Sequence, residues 1–305
     1  MGPREWIMLL ILSVVWGGAF FFYKVLDDAG IPPFTIVLGR VGLAALALLP
    51  VLLLTGRRLP RSRAAWGAFF LLGALNNLIP FTLIILGEKQ IDSGLASVFN
   101  ATTPVFTALI AQVLLRDEKL TANRIAGIVL GIAGVVLLMG PSSLRGLNPT
   151  SLAQLACVGA AVVYGFGAVA ARAVRRLGLD PLVLSTGQFL ASTLVALPLA
   201  LALEHPWTLA MPSAGTWWAL IGIALPGTAL AYILYYRIIA TAGATNAASV
   251  TFLVPVSALL LGTLALGERI APTTIAGMLV IFAGVALLDG RILRVFARSP
   301  AANQV

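Results

Sequence analysis

The chain has 305 residues, 60% hydrophobic and 10% charged, with a mean hydropathy of +1.01 and a net charge of +9. A soluble protein is nearer a quarter charged, and so large an apolar excess cannot be hidden in one core, so lipid is the solvent for most of the chain. The positive charge sits in short breaks between apolar runs, not in basic clusters interleaved with aromatics, which argues against a nucleic-acid partner.

In chain order there are ten apolar runs, each long enough to cross a hydrocarbon layer of ~30 Å as a helix. They are Trp6–Leu26, Phe34–Leu54, Ala65–Leu86, Gly94–Leu115, Arg124–Met139, Ser151–Ala171, Leu182–Leu203, Trp217–Ile239, Ala244–Leu266 and Pro272–Leu288. The predicted fold class is therefore an all-α integral membrane protein with ten transmembrane helices. Breakers punctuate the links: Pro32-Pro33, Arg57-Arg58-Leu59-Pro60, Gly140-Pro141, Asp180-Pro181 and His205-Pro206. The first run has the look of a secretory signal, with Arg4 before it and Gly17-Gly18-Ala19 within it. It has a counterpart later in the chain, however, and so reads as part of the fold.

That counterpart belongs to an internal duplication. Pairing 123–140 with 273–290, at an offset of 150, makes half of the positions identical, among them Gly127/Gly277, Gly134/Gly284 and Gly140/Gly290. Glu118 meets Glu268 at the same offset, and Pro104 meets Pro255 one residue out of step. An offset of 148 carries Trp16-Gly17 to Tyr164-Gly165, Pro33 to Pro181, Arg40 to Gln188 and Leu49-Pro50 to Leu197-Pro198. An offset of 152 carries Trp66 to Trp218. Two repeats follow, 6–140 and 151–290, with 291–305 as a tail.

Each repeat holds five helices, an odd number, so the second enters the membrane from the opposite side. With the N-terminus cytoplasmic, 15 Lys/Arg fall on inner segments and 4 on outer ones (Lys24, Lys89, Arg145 and Arg269), with Arg40 inside a run. This bias places both termini in the cytoplasm and makes the repeats inverted, an architecture common among secondary transporters.

The Trp16-Gly17 pair, Arg40, the Ala101-Thr102-Thr103-Pro104…Glu118 stretch, Ile125-Ala126-Gly127…Gly134-Val135 and their later echoes at Pro255, Glu268, Gly277 and Gly284 resemble two EamA domains of the drug/metabolite transporter superfamily. The likeness covers about Trp6–Gly290. It implies a ten-helix carrier of the bacterial inner membrane, often an exporter of amino acids or other small metabolites. It also implies a cavity lined by helices 1–4 and 6–9, with helices 5 and 10 to the side.

Polar groups at membrane depth are costly, so each is a candidate for the pathway or for interhelical bonding. Asn76, Asn77, Asn100, Thr103, Gln112, Gln188 and Thr228 offer amides and hydroxyls suited to zwitterions, sugars or neutral polar solutes. Arg40 is the only basic residue well inside a run. It suits a substrate carboxylate, or else it snorkels to headgroups or ties to Asp27/Asp28. Trp16, Phe20, Phe81, Tyr164 and Tyr232 would supply aromatic wall. Pro104 and Pro255 break helical bonding in both repeats and read as hinges. The glycines of helices 5, 6 and 10 read as close-packing surfaces and not as a dinucleotide loop. No Asp or Glu lies in the middle of a run. Glu118 and Glu268, at helix ends, suit caps or gate salt bridges, with proton coupling a lesser use.

The lone Cys157 and the isolated His205 give no cysteine centre or metal cluster. No cofactor is called for, and no nucleophile–base pair or paired carboxylates at depth support an intramembrane enzyme. The expected partners are a small-molecule substrate and the bilayer, for a monomer or homodimer. The expected function is transport of small metabolites, foremost amino acids, aromatic ones included. Efflux of amphipathic drugs or of a metabolite such as a sugar derivative is the alternative.

Overall fold

The computed structural model describes residues 2–115, 121–144, 148–242 and 250–289. Among these there are helices and connecting turns and no strand. We number the spans α1 (Pro3–Asp28), α2 (Pro33–Leu54), α3 (Arg63–Glu88), α4 (Ser93–Leu114), α5 (Ala122–Leu144), α6 (Pro149–Val174) and α7 (Pro181–Glu204). The last three are α8 (Ala214–Ala224, Leu225–Leu230 and Ala231–Ala242), α9 (Val250–Leu266) and α10 (Pro272–Asp289). Eight are long and apolar enough to cross a membrane, and α9 and α10 are shorter apolar helices. The expected start of the ninth run at Ala244, the tail from 291 and Glu118 lie outside the described residues.

The breakers act as start signals. Proline occupies the first turn of α2, α6 and α7, where its missing N–H costs nothing. The free N–H groups of the first turns find side-chain acceptors: Ala65 donates to Ser62 Oγ (3.2 Å), Ser151 to Asn148 Oδ1 (2.8 Å), Leu182 to Asp180 Oδ1 (2.9 Å) and Thr216 to Ser213 Oγ (3.2 Å). Gly30 and Gly56, after α1 and α2, take the left-handed backbone that ends a helix (φ 75° and 72°).

Four spans depart from regular α geometry, α7 among them with a π turn at its end over Ala200–Glu204. α3 widens into a π turn over Ala74–Leu78, and α8 does so over Leu225–Leu230, the equivalent place in the other repeat. Pro80 and Pro226 contribute, because each lacks the N–H that a carbonyl four residues back would receive. α4 breaks at Ala101-Thr102 and restarts at Thr103-Pro104. Pro255, by contrast, sits inside a continuous α9. The two prolines paired in the sequence are thus placed differently.

The packing exchanges partners between the halves. α1 packs on α9 and α8, while its equivalent α6 packs on α4 and α3; α2 packs on α7, and α5 on α10. Contacts within a half are sparser. Glycine permits the closest approaches. A Cβ on Gly127 would lie 2.6 Å from the Gly284 carbonyl oxygen, and one on Gly134 would lie 3.1 Å from the Gly277 oxygen. Ascending numbers meet descending ones, so α5 and α10 cross antiparallel. The α2–α7 pair does likewise: Arg57 meets Asp180 at one end (3.0 Å), and Phe34 meets Glu204 at the other (2.8 Å).

Candidate functional site

Arg40 lies on the inward face of α2 and is 4% exposed. Its guanidinium donates from Nε to Thr228 Oγ1 on α8 (2.8 Å) and from Nη1 to the Tyr23 hydroxyl on α1. It lies over the Phe81 ring of α3, 3.7 Å from the centroid, and 5.1 Å from that of Tyr23. The described residues place no carboxylate in ion-pair contact with it. Asp28 and Asp27 are instead taken by Lys24 (2.8 Å) and Lys89 (3.5 Å). Arg40 therefore neither snorkels nor ties to the Asp27/Asp28 turn. A buried cation held by two hydroxyls and a π face keeps donors free for an anion.

The wide turn of α8 builds part of this arrangement. Thr228 Oγ1 donates to the Ile223 carbonyl, five residues back (2.8 Å), and so satisfies a group that the π geometry loosens. The same oxygen accepts from Arg40. One hydroxyl thus both holds the distorted turn and aims the guanidinium.

A second polar group lies where α3 meets α7. A Cβ on Gly73 would lie 2.9 Å from the Gln188 carbonyl oxygen, so the helices touch there. Asn77, in the π turn, donates to Ser192 Oγ (3.0 Å), and Ser192 donates to the Gln188 carbonyl (2.7 Å). Asn77 Oδ1, Gln188 Nε2, Asn100 Oδ1 and Gln112 Oε1 are buried without a protein partner. Orphaned amide groups are costly at such depth, and these offer acceptors and a donor to a polar solute.

Aromatic rings line the space between α1, α7 and α8. Trp16 meets Tyr235 (5.3 Å) and Tyr232 (6.4 Å), and Tyr232 meets Phe189 (5.0 Å). Gly17 lets Trp16 reach this position, since a Cβ there would strike α9 at Ser257 (2.6 Å). Tyr232 also bounds a cavity of about 290 Å³ that runs between α2, α7 and α8 to Arg57, Asp180 and Arg237.

The remaining candidates scatter. Phe20 is 5% exposed in the main core, and Tyr164 packs against the same core. Asn76 is half-buried and points at Gly167 of α6, where a Cβ would lie 2.1 Å from Oδ1. The Thr103 hydroxyl donates to the Asn100 carbonyl (2.7 Å). Glu268 caps α4 from the α9–α10 turn, accepting from the N–H groups of Ser93 (2.8 Å) and Gly94 (3.1 Å). Glu204 caps α2 in the same way, through Phe34, Thr35 N–H (2.6 Å) and Thr35 Oγ1 (2.8 Å). Asp92, outside the spans, is held above the ordinary carboxylate range by burial and by the Glu268 charge, with Lys24 opposing.

Sequence reasoning overlooked Tyr23, Ser192 and Glu88. Tyr23 could have been found one turn before Asp27 on the run that holds Trp16. Glu88 lies two residues past the apolar run assigned to α3.

The model of the EamA-like transporter family matches residues 4–140 and again 151–288. The chain is 29% identical to the uncharacterized inner membrane transporter YedA of Escherichia coli K12 over 288 residues, covering 93% of this chain and 90% of that one. It is 25% identical to the uncharacterized transporter YoaV of Bacillus subtilis over 287 residues (92% and 95%). It is 26% identical to the protein PecM of Dickeya dadantii over 242 residues (78% of each). A solved crystal structure shares the fold with a TM-score of 0.63 and 19% identity, over 94% of this chain and 99% of that one.

Proposed function

The chain belongs to the EamA-like transporter family, and we propose that it carries small amphipathic metabolites bearing a carboxylate, foremost amino acids, across the bacterial inner membrane. A multi-pass membrane transporter is the premise; the substrate class is our reading. One observation carries it: the guanidinium of Arg40, buried among Tyr23, Thr228 and Phe81 with no carboxylate of the described residues in ion-pair contact. A planar anion is the complement of that group. The unpaired amides of Asn77 and Gln188 suit the polar remainder of a zwitterion, and the Trp16–Tyr232–Phe189 rings suit an apolar side chain. Within the rival reading, efflux of amphipathic drugs or of another metabolite, the sign of the buried charge disfavours cationic substrates.

The mechanism follows from the antiparallel equivalents. Two inverted halves rock about the α2–α7 crossing and expose the site to each side in turn, with Pro104, Pro255 and the π turns as the places that bend. Both termini are cytoplasmic, and export is the direction the family resemblance implies. No bond is made or broken; binding energy lowers a translocation barrier.

Purified protein in liposomes, offered labelled aromatic and aliphatic amino acids, a sugar derivative and an amphipathic cation, tests this reading. Amino-acid flux above that of empty vesicles is expected. Flux of the cation alone would overturn the assignment.

A further inference from the structure

Glu88 closes α3 and is 1% exposed, and neither carboxyl oxygen has a hydrogen-bond partner. Among the described residues it is the only ionisable side chain with buried, unpaired polar atoms. Its acidic neighbours are accounted for. Glu268 caps a helix, Asp28 pairs with Lys24, and Asp27 pairs with Lys89.

The surroundings of Glu88 are sealed on every side. From α1 it faces Lys24, Asp27 and Asp28, and from the α9–α10 turn it faces Glu268. Cys157 of α6 stands behind it, so close to Gly87 that a Cβ there would lie 2.3 Å from Sγ. Ser93 of α4, one turn on in the chain, also has a buried Oγ without a partner. Three carboxylates thus act on Glu88, and the one cation among these neighbours is already bonded to Asp28.

We propose that Glu88 is where this carrier binds and releases a coupling proton. The inference rests on the reading of the chain as a secondary transporter. A bare carboxylate sealed from water, with no donor and like charges around it, is costly, whereas the neutral acid is tolerated. Release requires water to reach Glu88. The end that seals it is latched by Glu268 on the N-terminus of α4 and by Glu204 on that of α2, both contacts made across the two halves. Opening that end breaks the latches and wets Glu88 from that side. In the opposite rocked state it must be reached from the other side, so that a proton taken up on one face is released on the other. Coupling follows if only the loaded or the empty carrier rocks.

Tyr23 links the two sites. Its hydroxyl is held by Arg40, and it stands in the field of both Arg40 and Glu88. An ionised Glu88 weakens the field that holds an anion at Arg40, and a neutral Glu88 restores it. Proton and anionic substrate therefore move together, in the direction set by the sum of their two electrochemical gradients.

Infrared difference spectroscopy after a pH jump, on the purified full-length protein, needs no substrate. Wild type should show a protonated-carboxyl band at neutral pH. Glu88→Gln should lose it, and Glu88→Asp should shift it. A wild type without the band, or a Glu88→Gln protein that retains it, overturns the proposal. In liposomes loaded with a pH dye and given a transported amino acid, wild type should move protons with substrate. Glu88→Gln should still exchange labelled for unlabelled substrate while proton movement is lost. Unchanged proton movement in that variant, or strict dependence of wild-type flux on sodium, also overturns it. If no solute of the panel is transported, the substrate reading fails, while the infrared result still decides Glu88.

Discussion

Helices α5 and α10 are equivalents of one another, and so are α2 and α7. Both pairs cross antiparallel between the halves, yet they meet through opposite chemistry. α5 and α10 join through Gly127, Gly134, Gly277 and Gly284, with no polar side chain at those contacts. α2 and α7 carry Arg40 and Gln188 at matching positions, an ion pair at one end and a carboxylate cap at the other. The α5–α10 contact is alike in both repeats, whereas the α2–α7 pair has a cation on one side and an amide on the other. A two-fold frame can thus present an asymmetric site.

The comparison breaks outright if the equivalents are parallel. In a Cys157→Ser background, single cysteines at the equivalent positions Ile31, before α2, and Leu179, before α7, should react with an impermeant maleimide from opposite sides of the membrane. Labelling from one side alone would remove the inverted arrangement.

Next in size is the adhesive pair. Gly127→Leu or Gly284→Leu forces a side chain against a backbone carbonyl and should cost about 3 kcal/mol, read as a lower melting temperature in detergent. Equal stability would mean that α5 and α10 do not touch there.

The polar pair should respond in transport and not in folding. Arg40→Gln leaves Tyr23 and Thr228 partly satisfied but removes the charge, and should lower amino-acid flux about 30-fold, equivalent to ~2 kcal/mol. Asn77→Ala and Gln188→Leu should each cost about fivefold, from ~1 kcal/mol per hydrogen bond. Flux unchanged in all three would move the site elsewhere. The smallest effect is expected at the Arg57–Asp180 pair, whose side chains are 42% and 36% exposed. Arg57→Gln should change stability by less than about 1 kcal/mol, and a larger loss would make that contact part of the frame.

Much of this frame is legible in the residues. The ten runs come from hydropathy, and the offsets of 148 to 152 come from residue identities between the two halves. Arg40 and Asn77 stand out because charge and amides are costly in lipid. The partners are harder to read. Tyr23, Thr228 and Phe81 come from three different helices, and only packing brings them to Arg40. The π turns escape as well, because one extra residue per turn leaves no compositional mark beyond Pro80 and Pro226. Glu88 is hidden by the opposite effect: it sits at a run's edge, where a charge looks solvated, yet the ends of α1, α4 and α6 close over it.

The exchange of partners between halves bears on how the molecule is made. α1 finds its main neighbours in α8 and α9, and α5 finds its own in α10, all of which leave the ribosome later. The first repeat has no finished interior until the second is inserted. Its glycine faces and its buried Arg40 must wait in lipid for complementary surfaces. The boundary that divides the sequence at 140–151 therefore does not divide the fold. Separately expressed halves should assemble only when made together, as two interlocked subunits would.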